Sequence, residues 1–92
     1  MKAKDYLTQY QKLREMLDTC EMEDEEKALA LKKMREIRNT INKLNKPMSS
    51  ILLGKYIGGK SLKKVSREIG YAYDYVRHKH RDALKRIEKF IK

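Results

Sequence analysis

The segment from Ile51 to Ile87 constrains the fold of this 92-residue chain more than any other feature of its sequence. At its centre, residues 61–70 read as a short amphipathic helix that ends at Gly70, and a longer basic helix is predicted to begin within three residues. Two helices joined by a tight, glycine-containing turn are typical of a helix-turn-helix, in which the second helix enters the major groove of DNA. The segment therefore predicts helical structure and makes double-stranded DNA the leading candidate partner.

The composition also favours helices. The chain is 39% charged and 40% hydrophobic, and it contains one proline, four glycines and no tryptophan. Such a composition suits a helix-rich protein better than a β-sandwich or a disordered chain. A chain of 92 residues makes one domain, or one small domain with an appendage, and it buries only a modest core.

Apolar residues in alternating four- and three-residue steps mark two helices in the first half of the chain. The first stripe, in a helix from about Ala3 to Cys20, consists of Tyr6, Leu7, Tyr10, Leu13, Leu17 and Cys20. The second stripe, before Pro47 ends the helix, consists of Ala30, Met34, Ile37, Ile41 and Leu44. Because the stripes are out of register, an antiparallel hairpin is favoured over one long helix, although neither glycine nor proline marks the join. Asp24 is expected to cap the second helix, and Cys20 is expected to be a small buried hydrophobic residue.

Residues 48–92 are predicted to form a trihelical unit. Its expected caps and breaks are, in chain order, Ser49 or Ser50, Gly58-Gly59, Ser61 and Gly70. The last helix is expected to run from about Ala72 to the carboxyl end. The sequence therefore predicts an all-α fold in which a helical hairpin, residues 1–47, precedes a helix-turn-helix domain, residues 48–92.

The net charge of +10 is distributed unevenly between these two parts. Residues 1–47 carry 11 Lys/Arg against 9 Asp/Glu, a balance of +2, whereas residues 48–92 carry 12 against 4, a balance of +8. A basic surface binds polyanions because it releases their condensed counterions. The alternative is a lysine-rich surface that serves only solubility, and the concentration of charge on the helix-turn-helix half argues against it.

The last helix has two distinct faces when its residues are placed at 100° intervals. The predicted core face consists of Val76, His80, Ala83, Leu84, Ile87 and Ile91. The outer face, which a helix in the major groove presents to base edges, consists of Asp74, His78, Arg81 and Lys85, with Arg77 at its flank and Tyr73 free at the amino end. Phosphate contacts are expected from Lys55, Lys60, Lys63, Lys64, Arg67 and Lys85. A solvated helix face is the alternative interpretation of these charges.

Two stretches of this segment resemble a known family. Residues 70–87 resemble the last helix of sigma-factor region 4, which reads the −35 promoter element, and residues 56–61 resemble the Tyr-Ile-Glu-Gly-x-Ser entry to the same motif. The resemblance covers about 40 of the 92 residues. It implies a base-facing set of Ala72, Tyr73, Asp74, Arg77 and His78, in which Arg77 matches the family residue and Asp74 replaces glutamate.

The layout of the whole chain carries a further resemblance. A charged helical hairpin before a sigma-region-4-like domain is similar to small phage and prophage proteins of Gram-positive bacteria, which are regarded as transcription regulators. Tyr73 and His78 stand where the sigma family has arginine and glutamine. The resemblance implies a sequence-specific DNA-binding regulator of transcription. Two alternatives keep the resemblance: a module that binds RNA polymerase or another protein, and a DNA-packaging protein like a phage terminase small subunit.

Other classes of function find less support in the sequence. His78 and His80 point about 200° apart on a helix, so they cannot share a metal ion, and we predict neither an enzyme nor a cofactor. The single cysteine excludes an intramolecular disulfide, and no apolar run has the length of a signal peptide or membrane span. A cytoplasmic protein without membrane contact is therefore expected. The two apolar stripes predict either intramolecular packing or a homodimer through residues 3–45.

Overall fold

The computed structural model describes residues 2–19 and 21–91, and these residues contain no β-strand. The described residues form five α-helices: α1 (Ala3–Thr19), α2 (Asp24–Asn42), α3 (Met48–Leu52), α4 (Leu62–Ile69) and α5 (Tyr73–Phe90). A π-helical turn, Leu53–Ile57, continues directly from α3. The predicted all-α class is confirmed. The predicted burial of Cys20 falls on a residue outside the described ranges.

The first two helices run antiparallel. Near the start of α1, the Tyr6 hydroxyl lies 3.1 Å from the Thr40 hydroxyl near the end of α2. One turn further along α1, the Tyr10 hydroxyl accepts a hydrogen bond of 2.7 Å from Arg38. Residues that advance along α1 therefore meet residues that recede along α2, and the chain turns back between Thr19 and Asp24. The single long helix that the sequence left open does not form.

The main hydrophobic core combines residues from both halves of the chain. Its buried members are Ala3, Tyr6, Leu7, Tyr10, Ile37, Ile41, Leu44, Leu52, Tyr56, Ala83 and Ile87. Burial of a large aliphatic side chain contributes roughly 1.5–3 kcal/mol, so these contacts hold the hairpin firmly on α3 and α5. Towards the far end of the hairpin the seam is less well covered, because Leu13 and Leu17 are only partly buried. The boundary at residue 47 stays an interpretation of the sequence.

A polar contact also joins α1 to the π-helical turn. The side-chain amide of Gln11 donates hydrogen bonds of 2.9 Å to the carbonyl oxygens of both Tyr56 and Ile57. Carbonyl groups at the end of a helical segment lack partners within that segment. Gln11 therefore satisfies two such acceptors from a distant part of the sequence, and it fixes the place where the π-helical turn meets α1.

Two of the predicted helix caps are wrong. Asp24 is the first residue of α2 rather than its cap, because Glu23 holds the extended capping conformation and makes no side-chain capping bond. The carboxylates of the first turn still meet the positive end of the helix dipole. Neither Ser49 nor Ser50 caps α3, which begins at Met48 directly after Pro47. Proline lacks an N–H group and has a fixed φ near the helical value, so it suits a helix start without a capping serine.

Candidate nucleic-acid interface

The turn between α4 and α5 is formed by residues whose local conformation explains their identity. The Ser61 hydroxyl accepts a hydrogen bond of 3.2 Å from the Lys64 N–H and caps α4. Gly70 ends α4 with φ 77°, and its N–H and that of Tyr71 both donate to the Ser66 carbonyl. No described atom lies within 4 Å of the position that a Cβ at Gly70 would occupy, so the left-handed backbone rather than lack of space favours glycine there. The predictions for Ser61 and Gly70 are confirmed.

A second, smaller apolar cluster holds α4 against its neighbours. Its buried members are Ile51, Val65 and Val76, with Leu62 and Ile69 packed at its edge. The π-helical turn approaches α4 closely at Gly54, where a Cβ would lie 2.8 Å from Val65 Cγ2. Contacts from α3, the π-helical turn and α5 therefore fix the orientation of α4, and with it the position of the basic residues that α4 carries.

Tyr73 lies at the point where α4 and α5 meet. The Lys63 ammonium group of α4 is 5.8 Å from the centre of the Tyr73 ring, and the Arg77 guanidinium group of α5 is 5.7 Å from it. Arg77 also lies 3.6 Å from the Asp74 carboxylate, and both side chains are largely exposed. The cations are held by the ring and the carboxylate without being buried. The structure thus brings together four residues that the sequence assigned to DNA contact.

The remaining outer-face residues of α5 extend this surface along the helix. His78, Arg81 and Lys85 are all exposed, as is Ala72 at the start of the helix. None of the three side chains forms an ion pair within the described residues. In a chain that is 39% charged, residues 2–19 and 21–91 contain only the Lys60–Glu68 and Arg77–Asp74 ion pairs. Arg81 and Lys85 therefore have no carboxylate partner among the described residues to give up when they bind an external anion.

The predicted phosphate-contacting residues fall into two groups. Lys63, Lys64 and Arg67 are exposed on α4, close to the start of α5. Lys60 lies 2.6 Å from Glu68, and this carboxylate competes with any phosphate for the ammonium group. Lys55 is only partly exposed, and its ammonium group lies 5.7 Å from the centre of the Tyr56 ring. The three residues on α4 are therefore better placed than Lys55 and Lys60 to bind phosphates next to the outer face of α5.

His80 lies on the core side of α5, as the helical periodicity predicts. Its Nε2 atom is 2.8 Å from the Tyr56 hydroxyl, and the two rings stack with their centres 5.7 Å apart. Burial, followed by the positive charges of Lys55 and Lys4, lowers the pKa of His80 to about 4. Burial also raises the pKa of the Tyr56 hydroxyl. Both groups are therefore neutral at pH 7, and this pair belongs to the packing of the fold.

Sequence reasoning did not single out an aromatic pair on the other flank of α5. The rings of Tyr71 and Tyr75 stack with centres 5.0 Å apart, and the Lys79 ammonium group lies 5.6 Å from the Tyr75 ring centre. Both tyrosines are exposed. Tyr71 lies just before α5, so four-residue helical spacing accounts only for the contact from Tyr75 to Lys79 on one side of the helix. These residues add aromatic and basic surface beside the outer face.

Comparisons with known proteins do not assign the chain to a family. No protein-family profile matches it, and neither a curated protein nor a solved structure is significantly similar to it. Within residues 2–19 and 21–91 there is no cluster of three or more His, Cys, Asp or Glu side chains that could hold a metal ion. No helix in the described part of the chain combines the length and apolar character needed to cross a bilayer. We therefore infer function from the surface of α4 and α5.

Proposed function

We propose that this protein is a sequence-specific double-stranded DNA-binding protein that regulates transcription. In this proposal α4 and α5 are the two helices of a helix-turn-helix, and α5 lies in the major groove. The sigma-region-4 resemblance of residues 56–61 and 70–87 supports this assignment, and the layout of the chain supports a phage or prophage origin and a cytoplasmic site of action. The hairpin of α1 and α2 supports the DNA-binding half through the shared core.

The observation that carries the proposal is the Lys63–Tyr73–Arg77 group. It places one cation from α4 and one from α5 on the same exposed ring, at the amino end of α5. In a helix-turn-helix the first turns of the second helix reach the base edges, while basic residues nearby bind phosphates. Arg77 is suited to guanine, since a guanidinium group can donate two hydrogen bonds to its O6 and N7 atoms. Lys63, one helix earlier, is suited to a phosphate.

Selection of bound sequences from a random duplex library, followed by titration of the selected duplex across salt concentrations, tests the proposal. We expect an enriched motif that Arg77→Ala relaxes at one position, with a loss of about 1–3 kcal/mol of discrimination there. We also expect the logarithm of the affinity to fall linearly with the logarithm of the salt concentration, with a slope that corresponds to roughly six to ten phosphate contacts. The matched control is Lys12→Ala, a charge removal at an exposed position of α1.

Other outcomes of this experiment would replace the proposal. Steeply salt-dependent binding without an enriched motif would indicate a packaging or architectural protein, such as the terminase-like alternative. Absence of binding at low salt would exclude DNA as the partner. In that case the basic surface of α4 and α5 would be tested against RNA polymerase or another acidic protein partner.

A further inference from the structure

A second stripe runs along α2 on a side that the core does not use. Its members are Asp24, Ala28, Leu31, Arg35 and Arg38, which we call the outer stripe of α2. At 100° per residue they lie within about 80° of one another, and all five are exposed. The buried stripe of the same helix, Ala30, Ile37 and Ile41, lies on another side and packs inside the chain. The buried stripe therefore offers no surface to a second molecule, whereas the outer stripe does.

The charges of the outer stripe are arranged symmetrically about Leu31. Asp24 stands seven residues before Leu31, and Arg38 stands seven residues after it. Seven residues correspond to two helical turns, so all three side chains point in nearly the same direction. A two-fold axis at Leu31 places Asp24 of each copy opposite Arg38 of the other, as an isologous contact between two identical surfaces requires.

These charges cannot neutralise each other within one chain. Asp24 and Arg38 are separated by about 21 Å along the helix, at 1.5 Å per residue. Neither they nor Arg35 form an ion pair within the described residues. Asp24 belongs to the end of the hairpin, where residues 15–26 contain seven Asp/Glu and no Lys/Arg. The acidic end of one hairpin therefore attracts the arginines in the second half of α2 of another copy.

The shape of the surface at Leu31 fits the same arrangement. A groove of about 240 Å³ beside the outer stripe is lined by Tyr10, Leu31, Met34, Arg35 and Arg38. Its apolar lining comes from Tyr10, Leu31 and Met34, and Leu31 remains 51% exposed. The Arg38 guanidinium group is held at the groove by its hydrogen bond to the Tyr10 hydroxyl. The groove thus combines an apolar surface with two cations that have no carboxylate partner.

We propose that the outer stripe of α2 is the interface of a homodimer, in which the α2 helices of two copies pack antiparallel about a two-fold axis at Leu31. Each Leu31 packs against the other copy's Leu31 beside the groove, and each Asp24 meets the other copy's Arg38. The axis lies at the exposed side of α2, and no residue of the outer stripe belongs to the α4–α5 surface. This interface does not depend on DNA binding.

Sedimentation velocity of the full chain, over a range of concentrations, tests the dimer. The informative variant is Leu31→Asp, which places two like charges at the axis. Its matched control is Leu29→Asp on the same helix, because Leu29 is 66% exposed and lies about 140° from the centre of the outer stripe. We expect a dimer for the wild type and for Leu29→Asp, and at least a tenfold weaker dimer for Leu31→Asp. Since both positions are exposed, circular dichroism should show both variants folded.

A charge exchange tests the pairing of Asp24 with Arg38. We expect Asp24→Arg alone and Arg38→Asp alone to be monomeric, because each homodimer would place like charges opposite each other twice. A mixture of the two variants should form a heterodimer, in which both charge pairs are opposite again. The control is Glu25→Arg, which makes the same charge change in the same helical turn but lies outside the outer stripe. A monomeric wild type, equal effects of Leu31→Asp and Leu29→Asp, or no heterodimer from the mixture would each overturn the proposal.

Discussion

The Tyr56 hydroxyl and the Nε2 atom of His80 are 2.8 Å apart, and their rings stack at an interplanar angle of 17°. This pair joins the π-helical turn to the middle of α5. It links the part of the fold that Gln11 holds against α1 to the helix that carries the candidate DNA-reading face. The orientation of α5 therefore depends on a neutral hydrogen-bonded pair beside the main core. Protonation of His80 should consequently affect the stability of the fold.

Stability should decrease as the pH falls, because the pKa of His80 is lowered from 6.5 to about 4 in the folded protein. Below about pH 6.5 the unfolded chain binds a proton on this imidazole while the folded protein does not, so the contribution of neutral His80 is complete above that pH and lost as the pH approaches 4. Allowing for the partial exposure of the ring, we expect a loss of about 1–2 kcal/mol. Urea unfolding between pH 7.5 and 4 measures it.

The contribution of His80 is separated from that of the carboxylates by comparing variants. His80→Gln should flatten the pH dependence between 6.5 and 4, whatever its effect on stability at pH 7. His78→Gln is the matched control, because His78 is exposed on the opposite side of the same helix, and it should leave the wild-type pH dependence unchanged. Identical pH profiles for the wild type and His80→Gln would contradict the prediction.

Replacement of Gly70 should destabilise the turn between α4 and α5 through its backbone alone. Gly70 has φ 77°, and space is open around it, so Gly70→Ala introduces no clash but forces an L residue into the left-handed region. We expect a loss of about 1–2 kcal/mol in the free energy of unfolding. Gly70→Asn should lose less, because asparagine adopts this conformation more readily. Chemical denaturation measures both, and equal losses for the two variants would mean that the left-handed backbone conformation is not the cause.

The local features of the fold were predictable from the sequence because their causes lie within a few residues. The hydroxyl of Ser61 caps the turn that follows it, and the glycine at 70 ends the helix that precedes it. The predicted cap at Asp24 was wrong by one residue, since several acidic residues in a row suit the start of a helix almost equally well. Ser49 is buried within a helix because the preceding proline starts that helix.

The contacts that position the candidate site were not predictable in the same way. Gln11 meets the carbonyls of Tyr56 and Ile57 across 45 and 46 residues of sequence, and no periodicity in the sequence indicates such a contact. Periodicity places His80 on the core side of α5, but it does not supply Tyr56 as its partner. Helical geometry gives the direction of each side chain on the outer face of α5. The contact of these side chains with DNA bases stays a prediction.

The Gln11 contact gives a prediction of its own. Gln11→Ala removes the only side-chain donor that the described residues provide to the Tyr56 and Ile57 carbonyls, and it leaves two partly buried acceptors without that partner. We expect a loss of about 1–3 kcal/mol in the free energy of unfolding. Lys12→Ala, the exposed neighbour on α1, is the control and should change stability by no more than about 0.5 kcal/mol. If both variants matched the wild type, water would be satisfying the carbonyls equally well.

The proposed roles of Lys63 in phosphate binding and of Arg77 in base binding can be tested by substituting Lys63. Lys63 shares the Tyr73 ring with Arg77 but projects from α4, so in the proposed complex it binds a phosphate while Arg77 binds a base. Lys63→Ala should weaken binding equally for the selected duplex and a scrambled one, and it should reduce the salt slope by about 1. Fluorescence anisotropy titrations at several salt concentrations measure both quantities.

Lys60 provides the internal comparison, because its ammonium group is already 2.6 Å from the Glu68 carboxylate. Lys60→Ala should reduce the salt slope less than Lys63→Ala does, since Lys60 must give up an existing partner before it binds a phosphate. Glu68→Gln should remove this difference by releasing Lys60, and binding should then strengthen at low salt. A change of preferred sequence in Lys63→Ala would instead assign base contact to α4, and would mean that the roles of the two cations on Tyr73 are reversed.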